Sequence, residues 1–160
     1  MSRLLVAFVL TSLSLLAECS FKTDTLIAKE GEVVDKKSGL IWRQCALGEE
    51  WQKGKGCVGE IELLKRKEAE EKANALGKSW RVPSIDELLT LVDERCKTPV
   101  INSKLFGKLH DTGEGANYLS SSIYLEGDEV IPTLFYTINF LDGSVDAHTK
   151  GYRGAVLLVR

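Results

Sequence analysis

The most informative stretch of this 160-residue chain runs Trp80-Arg81-Val82-Pro83-Ser84-Ile85-Asp86-Glu87-Leu88. Ser84 belongs to the residue types preferred just before a helix, where the hydroxyl can accept a backbone N–H. Glu87, three residues on, can reach back to complete a capping box, and Pro83 restrains the entry of the chain. The stretch brings together no nucleophile, general base or metal ligands. It therefore predicts a structural junction where an amphipathic helix begins.

Patterns on either side of this stretch predict an α+β domain, because the expected helices precede most of the expected strands. The first helix is expected over residues 61–76, ended by Gly77, and the second over residues 85–95. A hairpin is expected over residues 31–42, and residues 97–116 form a long irregular stretch of the kind that often binds ligands. Asp142-Gly143 is a hairpin turn signal. The strands expected in the last third are residues 118–125, 133–141, 144–148 and 155–160.

The N-terminus has the pattern of a secretory signal, which we expect over residues 1–19, followed by a single domain over residues 20–160. Arg3 supplies the positive start, and an apolar run follows over residues 4–16. This run is shorter than the roughly 20 residues that a membrane-spanning helix needs. The sequence therefore predicts export.

Cys19 admits two fates. The sequence Leu16-Ala17-Glu18-Cys19 approaches the pattern at which bacterial lipoproteins are cleaved and acylated on the cysteine. A small residue normally precedes that cysteine, and Glu18 stands there instead. The alternatives are lipid attachment at Cys19 or ordinary signal cleavage after Ala17 or nearby.

The remaining cysteines are expected to pair, because an oxidising compartment permits disulfides. Cys45 and Cys57 bracket a loop whose glycines let the chain fold back, so we expect a Cys45–Cys57 disulfide that contributes about 3 kcal/mol. Cys96 is left over, or pairs with Cys19 if that residue is retained. A zinc site is disfavoured, because there is no Cys-x-x-Cys pair and the two histidines stand alone.

The charge pattern indicates few partners by itself. The chain has 21 Lys and Arg against 23 Asp and Glu, with the signs mixed along the sequence. No basic stripe suggests nucleic-acid binding. Membrane association is expected only through a lipid anchor at the N-terminus.

Motifs spread over nearly the whole expected mature chain carry a resemblance to a known family. They include Ser38-Gly39-Leu40-Ile41-Trp42, Cys45-Ala46, Trp80-Arg81-Val82-Pro83, Pro99-Val100-Ile101-Asn102, Asp142-Gly143 and Val159-Arg160. In order and spacing they resemble the Lcl C-terminal-domain-like family, a bacterial family long labelled a domain of unknown function.

The resemblance implies an exported or cell-surface domain with a C-type-lectin-like fold, in which two helices pack on an antiparallel sheet with long irregular loops. Some members of the family form the tips of adhesins that bind sulfated polysaccharides, and the resemblance implies no known reaction. Family members often carry a cysteine just before the closing Val-Arg, where this chain has Leu157-Leu158. Cys96 therefore lacks its family partner.

The lectin-like resemblance raises calcium-dependent sugar binding, in which oxygen ligands hold the ion. The usual Glu-Pro-Asn, Gln-Pro-Asp and Trp-Asn-Asp triplets are absent. We therefore expect no cofactor, with calcium as the alternative.

Two groups of residues are singled out beside the cysteines. A structural signature is expected from Trp42, Trp80, Arg81, Pro83, Ser84 and Glu87. The candidate ligand-binding residues are Trp51, Tyr118, Asp128 and Asp142.

The sequence thus predicts a binding module at the periplasm, outer membrane or cell surface of a bacterium, which recognises a polysaccharide or an envelope protein. The alternative is a structural or accessory envelope protein without a soluble ligand. Catalysis is not expected: Ser120, Ser121 and Ser122 lie near His110 and Asp111 in sequence, but no Gly-x-Ser-x-Gly elbow is present.

Overall fold

The computed structural model describes Cys19, Phe21 and residues 25–160, so the predicted signal sequence lies outside the described residues apart from Cys19. No helix in the described residues has the length and apolar character needed to cross a membrane. Residues 25–160 contain eight strands: β1 (Leu26–Lys29), β2 (Glu32–Asp35), β3 (Ile41–Arg43), β4 (Glu49–Gln52), β5 (Gly56–Gly59), β6 (Asn117–Glu126), β7 (Glu129–Asn139) and β8 (Val145–Thr149). The same residues contain three helices: α1 (Arg66–Leu76), α2 (Ile85–Leu89) and α3 (Ser103–Phe106).

The strands form three small antiparallel sheets, with the orders β1-β2-β3, β4-β5 and β6-β7-β8. The predicted N-terminal hairpin is β2–β3, in which Val33 lies opposite Trp42. Asp142 and Gly143 lie in the turn between β7 and β8, where the sequence places a hairpin turn.

The predicted fold class is wrong. The expected C-type-lectin-like α+β arrangement required two helices packed on one sheet, whereas the described chain is mostly β, with three separate sheets and only short helices. The loop between the cysteines, predicted to fold back on itself, forms the β4–β5 hairpin, in which Trp51 lies opposite Cys57. Helices this short cannot form a layer that covers all three sheets.

Tertiary hydrogen bonds shorten both predicted helices. Residues 61–65 do not join α1, because the Glu62 amide donates to the Leu47 carbonyl (2.9 Å) and Leu64 exchanges backbone bonds with Gly154 (3.0 Å each). Residues 90–95 do not continue α2, because the Asp93 amide donates to the Val100 carbonyl (2.8 Å). Apolar periodicity in both segments reflects burial of extended or turning chain rather than helix.

The closing segment, residues 154–160, runs through the middle of the molecule. Its residues from 154 to 159 are all buried. Its backbone bonds to β3 through Arg43 and Ile41, to Arg81 and to β6 through Leu119. Sequence analysis predicts a strand here, and the structure instead has an extended segment with isolated bridges to several elements.

The Trp80–Leu88 stretch forms a junction against this closing segment. Arg81 and Val159 exchange both backbone hydrogen bonds, at 2.9 and 3.0 Å. The Ser84 hydroxyl accepts the Glu87 amide, and the Glu87 carboxylate accepts the Ser84 amide at 2.8 Å, which completes the capping box. Both Arg81 Nη atoms donate to the Glu87 carboxylate, at 2.7 and 2.6 Å. Glu87 therefore joins the cap of α2 to the strand-like stretch before it.

The two signature tryptophans are core residues. Trp42 is fully buried and packs edge-on against Phe106, with the ring centroids 6.4 Å apart. Trp80 is nearly buried, and the Arg160 guanidinium carbon lies 4.8 Å from the centroid of its ring. Neither ring offers a free face of the kind that stacks on a sugar.

The Cys45–Cys57 loop depends on a glycine in close contact with a neighbouring segment. Gly48 has a φ of +97°, and a Cβ there would lie 2.6 Å from the Glu62 backbone nitrogen and closer still to the Glu60 carbonyl oxygen. Gly54, in the same loop, has a φ of +79°, and a Cβ there would meet nothing within 4 Å. Both glycines therefore need a backbone conformation with positive φ, and only Gly48 lacks space for a Cβ atom.

We predict that Glu87→Gln lowers the free energy of unfolding by about 1.5 kcal/mol, because it weakens charge-assisted hydrogen bonds to Arg81 and to the cap. The Arg81 hydrogen bonds hold the pKa of Glu87 below its ordinary value of 4.5. This contribution is present above that value and is lost as the pH falls through the folded pKa. Urea unfolding over a range of pH measures both effects. Glu71→Gln, on the exposed surface of α1, is the control, and equal losses in the two variants would contradict the prediction.

We predict that Gly48→Ala destabilises the protein by about 3 kcal/mol, since it combines a left-handed φ with a backbone clash. Gly54→Ala carries only the conformational cost, about 1 kcal/mol. Thermal unfolding of the two variants compares them directly. A similar loss in both would show that the space around Gly48 is not limiting.

Candidate functional site

Two disulfides, Cys45–Cys57 and Cys19–Cys96, account for every cysteine among the described residues. The Cα atoms are 5.4 Å apart in the first pair, which is the pair that the sequence favours, and 5.5 Å apart in the second. Two disulfides indicate an oxidising compartment outside the cytoplasm.

The Cys45–Cys57 disulfide also supports the long irregular stretch. A Cβ on Gly107 would lie 3.2 Å from the Cys57 sulfur, so the stretch passes directly over the disulfide. α3 lies within this stretch, where the Asn102 side chain caps it by accepting the Lys104 amide at 3.1 Å. The stretch therefore packs against the disulfide near its centre, and a helix cap orders α3 within it.

A cleft of about 840 Å³, here called the Asp35 cleft, opens between three segments that are distant in sequence. These are the N-terminal residues Phe21, Thr25 and Leu26, the turn between β2 and β3, and the chain that follows α2. The buried lining residues, which form its base, are Asp35, Leu91 and Asn102. The exposed lining residues, which form its mouth, include Lys37, Ser38, Leu89, Thr90, Glu94 and Arg95.

The β2–β3 turn is a rigid wall of this cleft. The Asp35 carboxylate accepts the Lys37 amide at 2.9 Å and the Ser38 hydroxyl at 2.6 Å. The Asp35 backbone also bonds to Leu40 and Gly39, at 2.9 and 2.8 Å. Asp35 is 5% exposed. Its carboxylate therefore mainly stabilises the turn, and it contributes to the cleft only at the base.

The charges that line the Asp35 cleft nearly compensate one another. Arg95 and Asp93 form a paired contact, with Nε–Oδ1 at 2.8 Å and Nη2–Oδ2 at 2.6 Å. Lys37 and Glu94, at the mouth, have opposite signs. With Phe21, Leu26, Leu89, Leu91 and Val92 also in the lining, the cleft offers apolar surface and neutral hydrogen-bonding groups rather than a strong field.

Two aromatic candidates from the sequence lie elsewhere. Trp51 is partly exposed on β4 and packs over Gly31, where a Cβ would lie 2.9 Å from the Trp51 Cβ. Tyr118 is 1% exposed, with its ring centroid 5.0 Å from that of Phe140. Burial raises the pKa of the Tyr118 phenol, and the Glu49 carboxylate adds to the effect. Tyr118 therefore lies in the core, because its strand face points inward, and its ligand-binding role stays a prediction.

The two acidic candidates occupy separate turns. Asp128 is exposed between β6 and β7. The Asp142 carboxylate accepts the Ser144 amide (3.0 Å) and hydroxyl (2.8 Å), and these bonds lower the pKa of Asp142. Within the described part of the chain, no group of three His, Cys, Asp or Glu side chains converges as a metal site would require. The four candidates do not form one site.

The serine triplet of β6 has structural roles. The Ser120 hydroxyl donates to the Tyr136 carbonyl at 2.7 Å and is fully buried. The Ser121 amide donates to the Pro83 carbonyl at 2.8 Å, and the Ser122 hydroxyl accepts the Ile85 amide at 3.0 Å. Ser121 and Ser122 therefore hold the Trp80–Leu88 junction against β6, and Ser120 bonds to β7.

Glu49 is a buried carboxylate that sequence reasoning missed. It is 9% exposed, and its Oε2 has no hydrogen-bond partner among the described residues. Burial raises the pKa of Glu49, while the Ala46 backbone and His110 oppose the rise. The only signal for its burial is its place at the start of β4. Exposure alternates along that strand, and Glu49 lies on the buried face.

The residues of the Asp35 cleft also escape sequence analysis. Asp35 stands out only as part of a turn, and the pattern over residues 90–95 predicts a helix. A signal is present at Asn102, which follows an apolar stretch and precedes α3 as a cap residue.

The family model described as the Lcl C-terminal domain matches residues 31–160, which agrees with the resemblance found in the motifs. No curated protein matches the chain.

We predict that Glu49→Gln makes stability less sensitive to rising pH. Because the folded pKa of Glu49 is raised, its contribution is present below the ordinary value of 4.5 and is lost as the pH rises through the folded pKa. The free energy of unfolding of the variant, relative to that of the parent protein, should therefore increase with pH. Denaturant unfolding at several pH values measures it. Glu50→Gln, at the exposed neighbouring position, is the control, and a pH-independent difference for Glu49→Gln would refute the prediction.

Proposed function

The chain belongs to the Lcl C-terminal domain family, a family of bacterial surface-associated modules, and from this premise we propose that it binds a neutral polysaccharide in the Asp35 cleft. The observation that supports the proposal is the composition of that cleft. Its base is partly apolar, and its mouth carries the exposed Leu89 beside polar and charged side chains of nearly balanced charge. A sugar ring presents apolar C–H faces and neutral hydroxyls, which match such a lining.

The charge balance argues against a sulfated polymer as the occupant of this cleft. A polyanion gains affinity by replacing counterions with Lys and Arg side chains, and its binding weakens steeply as salt is added. The Asp35 cleft has only Lys37 and Arg95 as cations among its described lining residues, and Arg95 already binds Asp93. Binding in this cleft should therefore depend weakly on ionic strength.

The proposed activity is recognition at the bacterial envelope, in the periplasm or at the cell surface, and not catalysis. Two of the serines that would suggest a hydrolase use their hydroxyls to bind backbone groups: Ser120 binds the Tyr136 carbonyl and Ser122 binds the Ile85 amide. We expect the same glycan binding with calcium and with a chelator, because the polar lining of the cleft can act through hydrogen bonds alone.

A protein partner is the second candidate, favoured by a different surface. Leu125 and Val130 lie opposite each other near the tip of the β6–β7 hairpin, 48% and 54% exposed. Exposed apolar pairs of this kind, rimmed here by the acidic Glu126, Asp128 and Glu129, are typical of protein contact surfaces. In this alternative the domain is an accessory envelope protein without a soluble ligand.

We predict that Leu89→Glu weakens glycan binding by about tenfold, because it places an unpaired charge on apolar surface at the cleft mouth. Leu125→Glu, at a similarly exposed position on the hairpin, should leave glycan binding unchanged. Both changes lie at the surface, so thermal unfolding should shift little. A glycan array followed by calorimetry at low and high salt, with and without chelator, measures the effect.

Each result distinguishes the candidates. Loss in Leu89→Glu alone, with little dependence on salt, supports the cleft. Binding only to sulfated glycans, abolished by salt, contradicts it. The absence of any glycan binding, together with capture of an envelope protein that Leu125→Glu abolishes, favours the second candidate.

A further inference from the structure

Cys19 and Cys96 form a disulfide in which the Cα atoms are 5.5 Å apart, within the usual range for such bonds. Cys19 is exposed, whereas Cys96 is 3% exposed. We infer that Cys19 belongs to the folded mature domain as a disulfide residue and is not a site of lipid attachment. The thioether to a diacylglyceryl group would occupy the same sulfur that bonds to Cys96, so the two fates exclude each other.

The partner cysteine lies on a fixed turn. The Cys96 amide donates to the Asp93 carbonyl at 2.9 Å, and the Asp93 amide donates to the Val100 carbonyl at 2.8 Å. Val100 in turn donates its amide to the Phe140 carbonyl at 3.0 Å, which anchors the turn to the core beside β7. Cys96 is thus held in place by chain that does not depend on the N-terminal segment.

The sequence before Cys19 supports the same assignment independently. Glu18 occupies the position where a lipoprotein signal normally has a small residue. Cleavage after Ala17 leaves a mature chain that begins Glu18-Cys19 and retains the cysteine. The disulfide requires cleavage that retains Cys19 with a free thiol, and the local sequence favours such cleavage.

Formation of the Cys19–Cys96 bond requires an oxidant, and a disulfide donor in the compartment outside the cytoplasm supplies it. The Cys19 thiolate attacks a mixed disulfide between Cys96 and a thiol–disulfide oxidoreductase, and the S–S bond between Cys96 and the oxidoreductase breaks. Overall, the two protein thiols lose two electrons and two protons, and the donor disulfide is reduced to a dithiol. The inference concerns attachment of the chain and does not depend on which ligand the Asp35 cleft binds.

The test uses the full chain expressed with its own N-terminus in a bacterium that exports it. The protein is denatured, treated with a maleimide without reductant and digested for mass spectrometry. We expect a peptide carrying Cys19 crosslinked to the Cys96 peptide, no maleimide adduct on either cysteine, and no incorporation of labelled fatty acid. Fatty-acid label at Cys19, or a maleimide adduct on Cys96 in the parent protein, would overturn the inference.

Single substitutions sharpen the result. In Cys96→Ser the Cys19 thiol is freed and should react fully with the maleimide, whereas a lipidated Cys19 would stay unreactive. The double change Cys45→Ser with Cys57→Ser is the control, since it removes the other disulfide and should leave the Cys19–Cys96 crosslink in place. Loss of Cys19 from the mature chain would leave Cys96 reactive and would also overturn the inference.

Discussion

The fold depends on the hydrogen bonds of one buried extended segment, residues 154–160. A buried backbone must satisfy its N–H and C=O groups on both edges, and no single strand among the described residues runs beside the segment for its full length. The partners are therefore divided: Leu64 near its start, Asn117 and Leu119 of β6 at Ala155, Leu47 and Arg43 in its middle, and Ile41 and Arg81 near its end. Because these partners belong to several elements, the segment joins the β1-β2-β3 sheet to the β6-β7-β8 sheet, and these two sheets do not pair with one another.

Local signals in the sequence are reliable where the structure is local. The β2–β3 hairpin, the capping box at Ser84 and the turn at Asp142 each depend on residues a few positions apart, and the structure contains all three. The helices predicted over residues 61–76 and 85–95 are too long, because partners far away in sequence claim the backbone at residues 61–65 and 90–95. Apolar periodicity indicates which positions are buried. It does not indicate which distant carbonyl accepts the hydrogen bond of a given amide.

The candidate site is less accessible to sequence reasoning than the fold. Tyr118 is attractive as an aromatic on a predicted strand, but a strand has two faces, and the face that carries Tyr118 is the core. The Asp35 cleft is assembled from the N-terminal residues, a hairpin turn and the chain after α2, so no compact motif marks it. In the sequence Cys19 stands out as a processing signal, and only the packed turn at Cys96 shows it to be within reach of a partner. Closing a loop across 77 positions in this way stabilises the folded chain by about 4 kcal/mol, through the entropy of the unfolded state.

The position of residues 154–160 along the chain has a consequence for biogenesis. Every element that this segment holds together precedes it, so the segment is synthesised after all of its partners. Until it emerges, the β1-β2-β3 and β6-β7-β8 sheets lack their common neighbour, and much of the core, including Trp42 and Tyr118, has no cover from it. Contacts of such large sequence separation also form slowly. The core can therefore close only after residues 154–160 have been synthesised, and the elements that they join then close together.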